Sequence, residues 1–333
     1  ALRAVGWKVA VIDVDAAIEQ EAMNRGIADR VGLEPAAAVT VVAAPVGAIP
    51  ELVLRALAET NGVVTDVGSA KADICAGVSD PRFIGGHPMA GSDQDGIAGA
   101  RADLFASAMW VLTPSETTSE TAFSTVRSLT KATGAESIAL PAPIHDEMVA
   151  LVSHVPHLTS AALMNLAGST SVEHRALLRL AAGGFRDMTR ISAGRPSIWP
   201  DICIANREAI VSGLDQLMAA LGRTRSLVAD GDRAGLYALL DTARTARQNL
   251  PVGYDQVDKA SELAVPIPDR PGEIAAIATL AAELDVNILD LDISHSGEGR
   301  QGVMTLVVDE AKAERLLGGL MARGYRPNLR DLD

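Results

Sequence analysis

Val63-Val64-Thr65-Asp66-Val67-Gly68-Ser69-Ala70-Lys71, followed by Phe83-Ile84-Gly85-Gly86-His87-Pro88-Met89-Ala90-Gly91, is the stretch whose reading decides the fold of the first half of this chain. An apolar run closing on Asp66 reads as a buried strand, the residues from about Ala70 read as a helix, and Phe83-Ile84 opens the next strand. The same rhythm extends upstream. Lys8-Val9-Ala10-Val11-Ile12-Asp13 reads as a buried strand, a helix runs through Met23, Val39-Thr40-Val41-Val42-Ala43-Ala44 is a strand and 47–60 a helix. Downstream come strand Met109-Trp110-Val111-Leu112, helix 119–133 and strand Ser137-Ile138-Ala139. Such alternation predicts an α/β, Rossmann-like, doubly wound and largely parallel sheet over residues 1–142. Ligands gather at the carboxyl ends of such strands, where this reading puts Ser69 and His87. The glycines before His87 relieve crowding, and a histidine so placed is offered to a ligand as a proton acceptor near its ordinary pKa.

From Pro143 the apolar period becomes helical, with helices expected over about 145–167, 172–182, 197–222 and 224–247. A helical region of this size with no sheet of its own is expected to pack against a twin, so 143–253 reads as a substrate and dimerisation domain of a homodimer. Pro251-Val252-Gly253-Tyr254 reads as a linker. Residues 260–333 then follow βαββαβ order, with a turn at Asp269-Arg270-Pro271-Gly272, Pro271 at the first helical position, a strand from Asn287 to Ile293 and a hairpin at Ser296-Gly297-Glu298-Gly299.

A chain of 333 residues, 48% hydrophobic, can build two or three cores. Its net charge of −13, with no basic stretch, argues against nucleic acid or an anionic membrane as partner, so an anionic ligand must find local positive charge. Cys75 and Cys203 lack metal-ligand spacing and fit a reducing cytoplasm, and no metal site is expected. No apolar run approaches the ~20 residues needed to cross a bilayer. A cytoplasmic enzyme is the expectation.

A dinucleotide fold places the acid that bonds the adenosine ribose about 20 residues beyond a glycine-rich turn. Counting back from Asp13 runs off the start of the chain, so the first strand and that turn are expected upstream of Ala1, and Ala1 to Val5 reads as the end of a helix stopped by Gly6. Asp13 favours NAD over NADP, because a carboxylate accepts the ribose hydroxyls and repels a 2′-phosphate. Its alternative is a helix N-cap, for which Asp15 is the better candidate. The small residues of Ala43-Ala44-Pro45 admit a flat adenine or ribose to the backbone.

Two more blocks, Val152-Ser153-His154-Val155-Pro156-His157 and Gly183-Gly184-Phe185-Arg186-Asp187-Met188-Thr189-Arg190, complete a set of four. In this order the blocks resemble the prephenate dehydrogenase family over nearly the whole chain, and 260–333 resembles an ACT domain, the small amino-acid-sensing module. The resemblance implies NAD-dependent oxidative decarboxylation of prephenate to 4-hydroxyphenylpyruvate, in tyrosine biosynthesis. It implies His87 as acceptor of the hydroxyl proton, Ser69 as a partner of His87 or of the nicotinamide amide, and Arg190 as clamp for the ring carboxylate. Arg186 would meet the pyruvyl carboxylate, His157 is a second site histidine, and Trp199 matches a tryptophan that reaches the pocket from the partner subunit. Asp93 stands where the family commonly has glutamate, so the gating contact that the resemblance implies is one carbon shorter. For the ACT segment the resemblance implies tyrosine as effector, contacted by Asp269, Arg270, Pro271, Gly272 and Asn287.

Each role has a plainer alternative. Ser69 could cap the next helix, Arg186 form a surface salt bridge, Trp199 fill core, His154 face the helical core, and Lys71 sit solvated on a helix. His145, His174 and His295 receive no role from spacing. Arogenate dehydrogenase is the nearest rival enzyme. A β-hydroxyacid dehydrogenase would need a catalytic lysine on the helical side, and a non-catalytic amino-acid sensor would have no use for His87, Ser69 and Arg190 together.

Overall fold

The computed structural model describes residues 1–91, 96–173, 177–249, 260–268, 270–295 and 301–332, in two compact units, Ala1–Thr242 and Ala243–Asp333. The first unit opens with a 3-10 turn, Leu2–Val5, ended by Gly6 at φ +89°. Strand β1 (Ala10–Val11), helix α1 (Ala16–Asn24) and strand β2 (Arg30–Val31) follow, and the two strands pair in parallel as a small sheet of their own. This corrects the expected buried strand over Lys8–Asp13. Only two of its residues are extended, Ala10 is exposed and Val11 half-buried, because their partner is a two-residue exposed strand and not the main sheet.

The main sheet and its helices are β3 (Val39–Val42), α2 (Ile49–Glu59), β4 (Val63–Asp66), α3 (Ala72–Ala76), β5 (Phe83–Pro88), β6 (Met109–Thr113), α4 (Glu120–Ala132) and β7 (Glu136–Ala139). Strand order is β3-β4-β5-β6-β7, parallel except that β5 and β6 run antiparallel. Every residue of β4 is buried, as a strand covered on both faces must be. On one face Ile49, Val53 and Leu57 of α2 pack with Val42 and Val64; on the other Ala122, Val126 and Leu129 of α4 pack with Ile84, Trp110 and Leu112. Each such large side chain contributes roughly 1.5–3 kcal/mol by leaving water.

Helix α5 (Ala142–Val149) starts on a proline-bearing first turn and runs through a π-helical turn, Ala150–His154, into α6 (Val155–Glu173). Then come α7 (Gly183–Thr189), a 3-10 turn at Arg190–Ala193, α8 (Trp199–Ala205), α9 (Arg207–Ala229) and α10 (Arg233–Gln248). No α-helix forms at 177–182. Leu177–Leu180 is a 3-10 turn with Leu178 and Leu180 exposed, so no buried face holds a longer helix. The helix expected over 197–222 breaks at Asn206, and α9 then runs on to Ala229, where Gly231 at φ +63° makes the turn.

The second unit comprises β8 (Ala260–Pro268), α11 (Glu273–Glu283), β9 (Ile288–His295), β10 (Gln301–Asp309), α12 (Glu310–Ala322) and β11 (Asn328–Leu332). Its antiparallel sheet has the order β11-β8-β10-β9 and buries Leu263, Val265, Met304 and Leu306 against Ile277, Leu280, Leu316 and Leu320. Pro271 is not at the first helical position: Gly272, at φ +98°, is the N-cap of α11, a left-handed conformation that glycine accepts without strain. Pro251–Tyr254, Ser296–Gly299, Asp93, His174 and Asp269 lie outside the described residues.

Candidate active site

Strands β3, β4 and β5 run parallel, so their carboxyl ends share one edge of the sheet. Ala43-Ala44-Pro45, Val67-Gly68-Ser69 and His87-Pro88 emerge there and line a cavity of about 1460 Å³. Ile12 from the β1 segment, Phe105 from the β5–β6 connection, and Ile198 with Asp201 from the helical region complete the wall. The volume exceeds that of an ordinary small-ligand pocket, roughly 300–1,000 Å³.

Beneath His87 lies a polar cluster. Lys71 and Asp66, both 0% exposed, form an ion pair. Lys71 Nζ also donates to Gly86 O at 3.0 Å, while Asp66 accepts from Gly68 N at 2.9 Å and Gly86 N at 3.2 Å. A Cβ on Gly86 would stand 2.7 Å from Asp66 O, so only glycine allows β5 this close to β4. His87 Nδ1 lies 2.8 Å from His145 Nε2, and His145 Nδ1 lies 2.7 Å from Asp146 Oδ1. Asp146 also accepts from Lys71 N and Ala72 N, at 2.8 Å each, and so caps α3 from a different helix. Asn206 Nδ2 donates to Asp146 O at 2.8 Å and lies 3.2 Å from His154 Nδ1. Desolvation, then the neighbouring His145, Lys71 and His154, pushes the His87 imidazole down to about 3. Burial takes His154 down to about 4. Both rings are neutral at physiological pH, and His87 is far from the ordinary histidine range that its sequence setting suggests.

Residues 1–139 match the family model for the prephenate dehydrogenase nucleotide-binding domain, and 141–242 that for the prephenate dehydrogenase dimerization domain. The chain is 33% identical over 250 residues to prephenate dehydrogenase of Bacillus subtilis, covering 73% of this chain and 67% of that one. This chain belongs to the prephenate dehydrogenase family. The Lactococcus lactis prephenate dehydrogenase is 28% identical, covering 83% of this chain and 79% of its own length. Among solved structures, arogenate dehydrogenase of Synechocystis aligns at TM-score 0.66 and 27% identity, over 74% of this chain and 92% of that one. Prephenate dehydrogenase from A. aeolicus, in complex with hydroxyphenyl propionate and NAD+, shares the fold at TM-score 0.70 and 24% identity, over 75% and 92%.

Within this family member, the residues singled out from sequence fall into three groups. His87, Ser69 and Pro45 line the cavity together. Ser69 makes no bond to His87, whose Nδ1 is engaged by His145, and it does not cap α3, because Asp146 does. Asp13 is exposed beside the cavity wall and accepts from Asp15 N at 2.9 Å, while Asp15 is the N-cap of α1. A second group surrounds the start of α6. His157 stacks on Trp199 of its own chain, with centroids 3.6 Å apart and planes at 12°, while His154 is buried edge-on to the same indole. Arg186 and Arg190 are exposed; Arg186 Nε donates to Ala181 O at 3.3 Å, and Arg190 makes no ion pair with a described residue. None of His157, Trp199, Arg186 and Arg190 lines the cavity itself. The third group is in the second unit. Arg270 pairs with Glu273, which also accepts from Tyr325 Oη at 2.7 Å, and Asn287 is exposed just ahead of β9.

Sequence reasoning missed His145, Asp146 and Asn206 and took Lys71 for a solvated residue. Lys71 is instead fully buried, because Asp66, five residues earlier, supplies its counter-charge. The available signal was the His145-Asp146 pair within α5, the helix that follows the last strand of the sheet.

Proposed function

We propose that this chain catalyses the NAD-dependent oxidative decarboxylation of prephenate to 4-hydroxyphenylpyruvate. The observation that carries the reading is a neutral, buried-side histidine at the lip of a large cavity, where three parallel strands end. The cavity suits a dinucleotide: Ala43, Ala44 and Gly68 are small where a flat ring must approach the backbone, and Pro45, Ser69 and Asp13 are the residues that would hold it. NAD, when bound, supplies the hydride acceptor. His87 takes the proton of the ring hydroxyl, and loss of the para carboxylate as carbon dioxide completes the aromatic ring. Arg190 holds the ring carboxylate through its forked guanidinium, Arg186 meets the side-chain carboxylate, and His157 with Trp199 lies at the substrate's flank.

Domains run 1–142 for cofactor, 143–253 for substrate and dimerisation, and 260–333 for regulation. The chain acts as a homodimer, for which its dimerization-domain match is the support. Two free cysteines suit a reducing cytoplasm, where the enzyme works. The βαββαβ order supports an ACT-type module taking tyrosine near Arg270, Gly272 and Asn287. Arogenate is the second reading, favoured by the 27% identity to the Synechocystis enzyme. Following NADH absorbance with prephenate and arogenate, each with NAD and with NADP, tests the assignment. Prephenate with NAD should give the highest kcat/KM, and absence of turnover with either substrate sinks the reading. Calorimetry of the full chain with tyrosine and phenylalanine tests the regulatory part: no heat from either leaves the module without an effector.

A further inference from the structure

The Asp146 carboxylate accepts from two backbone amides, Lys71 N and Ala72 N, which can only donate, so its orientation and its role as acceptor are fixed by the start of α3. His145 Nδ1, 2.7 Å from the same carboxylate, must therefore carry a proton. In a neutral ring that leaves His145 Nε2 as an acceptor, and the 2.8 Å contact to His87 Nδ1 is then satisfied only when His87 donates. With His145 neutral, the polarity runs one way, from His87 through His145 to Asp146.

The chain is anchored at both ends. Asn206, from the junction of α8 and α9, donates to the Asp146 carbonyl, and Lys71 both donates its amide to Asp146 and reaches Gly86 O, the carbonyl next to His87, with Nζ. His145 is 0% and Asp146 3% exposed, so water does not compete for these bonds. A histidine side chain free in water prefers its proton on Nε2, which at His87 would aim a donor where a hydroxyl proton has to be accepted.

We propose that His145 and Asp146 are positioning residues that fix the tautomer of His87, keeping its proton on Nδ1 and its Nε2 free to accept. The inference rests on the reading of His87 as proton acceptor but makes a statement about the protein without ligand. Its test is long-range ¹H–¹⁵N NMR of the ¹⁵N-labelled chain at neutral pH, with the His87 signals identified by their loss in His87→Asn. The unsubstituted chain should show His87 protonated on Nδ1. His145→Phe, which removes the acceptor, should bring in the Nε2–H form. His145→Gln, whose side-chain oxygen can accept from His87 Nδ1, should retain the Nδ1–H form. In turnover of prephenate, His145→Phe should lower kcat about 10–100-fold with KM held within about twofold, and His145→Gln should recover most of the loss. An Nε2–H His87 in the unsubstituted chain, or a tautomer indifferent to His145→Phe, overturns the proposal. An Nδ1–H His87 that responds to His145→Phe in a chain that turns over neither substrate supports it and counts against the proposed function alone.

Discussion

Around His87 the ionisable neighbours are buried and bonded: Lys71 to Asp66 and Gly86, His145 to Asp146, Asp146 to the amides of α3. Along Gly183–Ala193 the two guanidinium groups are exposed, and Arg186 spends one N–H on a backbone carbonyl. On the proposed roles, the contrast follows from what each end would have to do. A proton acceptor works only within a narrow range of distance and angle, so its surroundings are built before any ligand arrives. A carboxylate is a strong enough partner to order an exposed guanidinium when it binds. The fold therefore fixes the surroundings of His87 and leaves the two guanidinium groups exposed.

Substitutions can break that contrast, the largest effect first. His87→Asn keeps a similar shape without a basic nitrogen to take the proton and should lower kcat by roughly 10²–10⁴ with little change in KM; near-normal kcat would remove His87 from the chemistry. Lys71→Met strands the buried Asp66 carboxylate and should cost about 3–5 kcal/mol of stability, read from the urea midpoint. The same change at exposed Arg186 should stay within about 0.5 kcal/mol, and equal losses at the two sites would erase the distinction. Arg190→Gln should weaken substrate binding by about 2–5 kcal/mol, seen in KM, and leave the urea midpoint where it was. An unchanged KM excludes Arg190 as the clamp.

A pH series sharpens the comparison. His87 and His154 titrate at about 3 and about 4 in the folded chain and near the ordinary 6.5 when unfolded. Between those values the unfolded state holds more protons, so stability rises with pH; the two rings' contribution is complete above about 6.5 and is lost as pH falls toward 3. The urea midpoint should therefore decline from pH 7 to pH 4.5, and His87→Asn should flatten the slope. A slope untouched by that substitution would mean that His87 is not held neutral by its burial.

The strands of the main sheet were legible because their apolar runs are bounded by Asp66, Gly85 and Pro88, and the ligand edge followed from their parallel order. What stayed hidden was long-range. Nothing near Lys71 announces that Asp146, 75 residues on, caps its helix, and a histidine beside an aspartate on a helix looks idle until β5 is laid against it. Leu177–Leu180 looked helical because leucine spacing says nothing about whether a face is covered. The first helical position is Glu273, two residues past Pro271, because Gly272 takes the cap in a left-handed conformation, which periodicity does not encode.

The reversed strand β6 has a consequence for how such a site can change over time. In a wholly parallel sheet, the chain leaving His87 would have to travel back through a helix to the far edge before the next strand. Here Met89 N already bonds Met109 O, so the chain leaves β5 and enters β6 at the same edge of the sheet, and Ala90, Leu104 and Phe105 between the two strands line the cavity. Residues gained or lost in that connection alter the wall facing the ligand while the register of all five strands stays as it is. The wall of the cavity and the register of the sheet are thus separately adjustable.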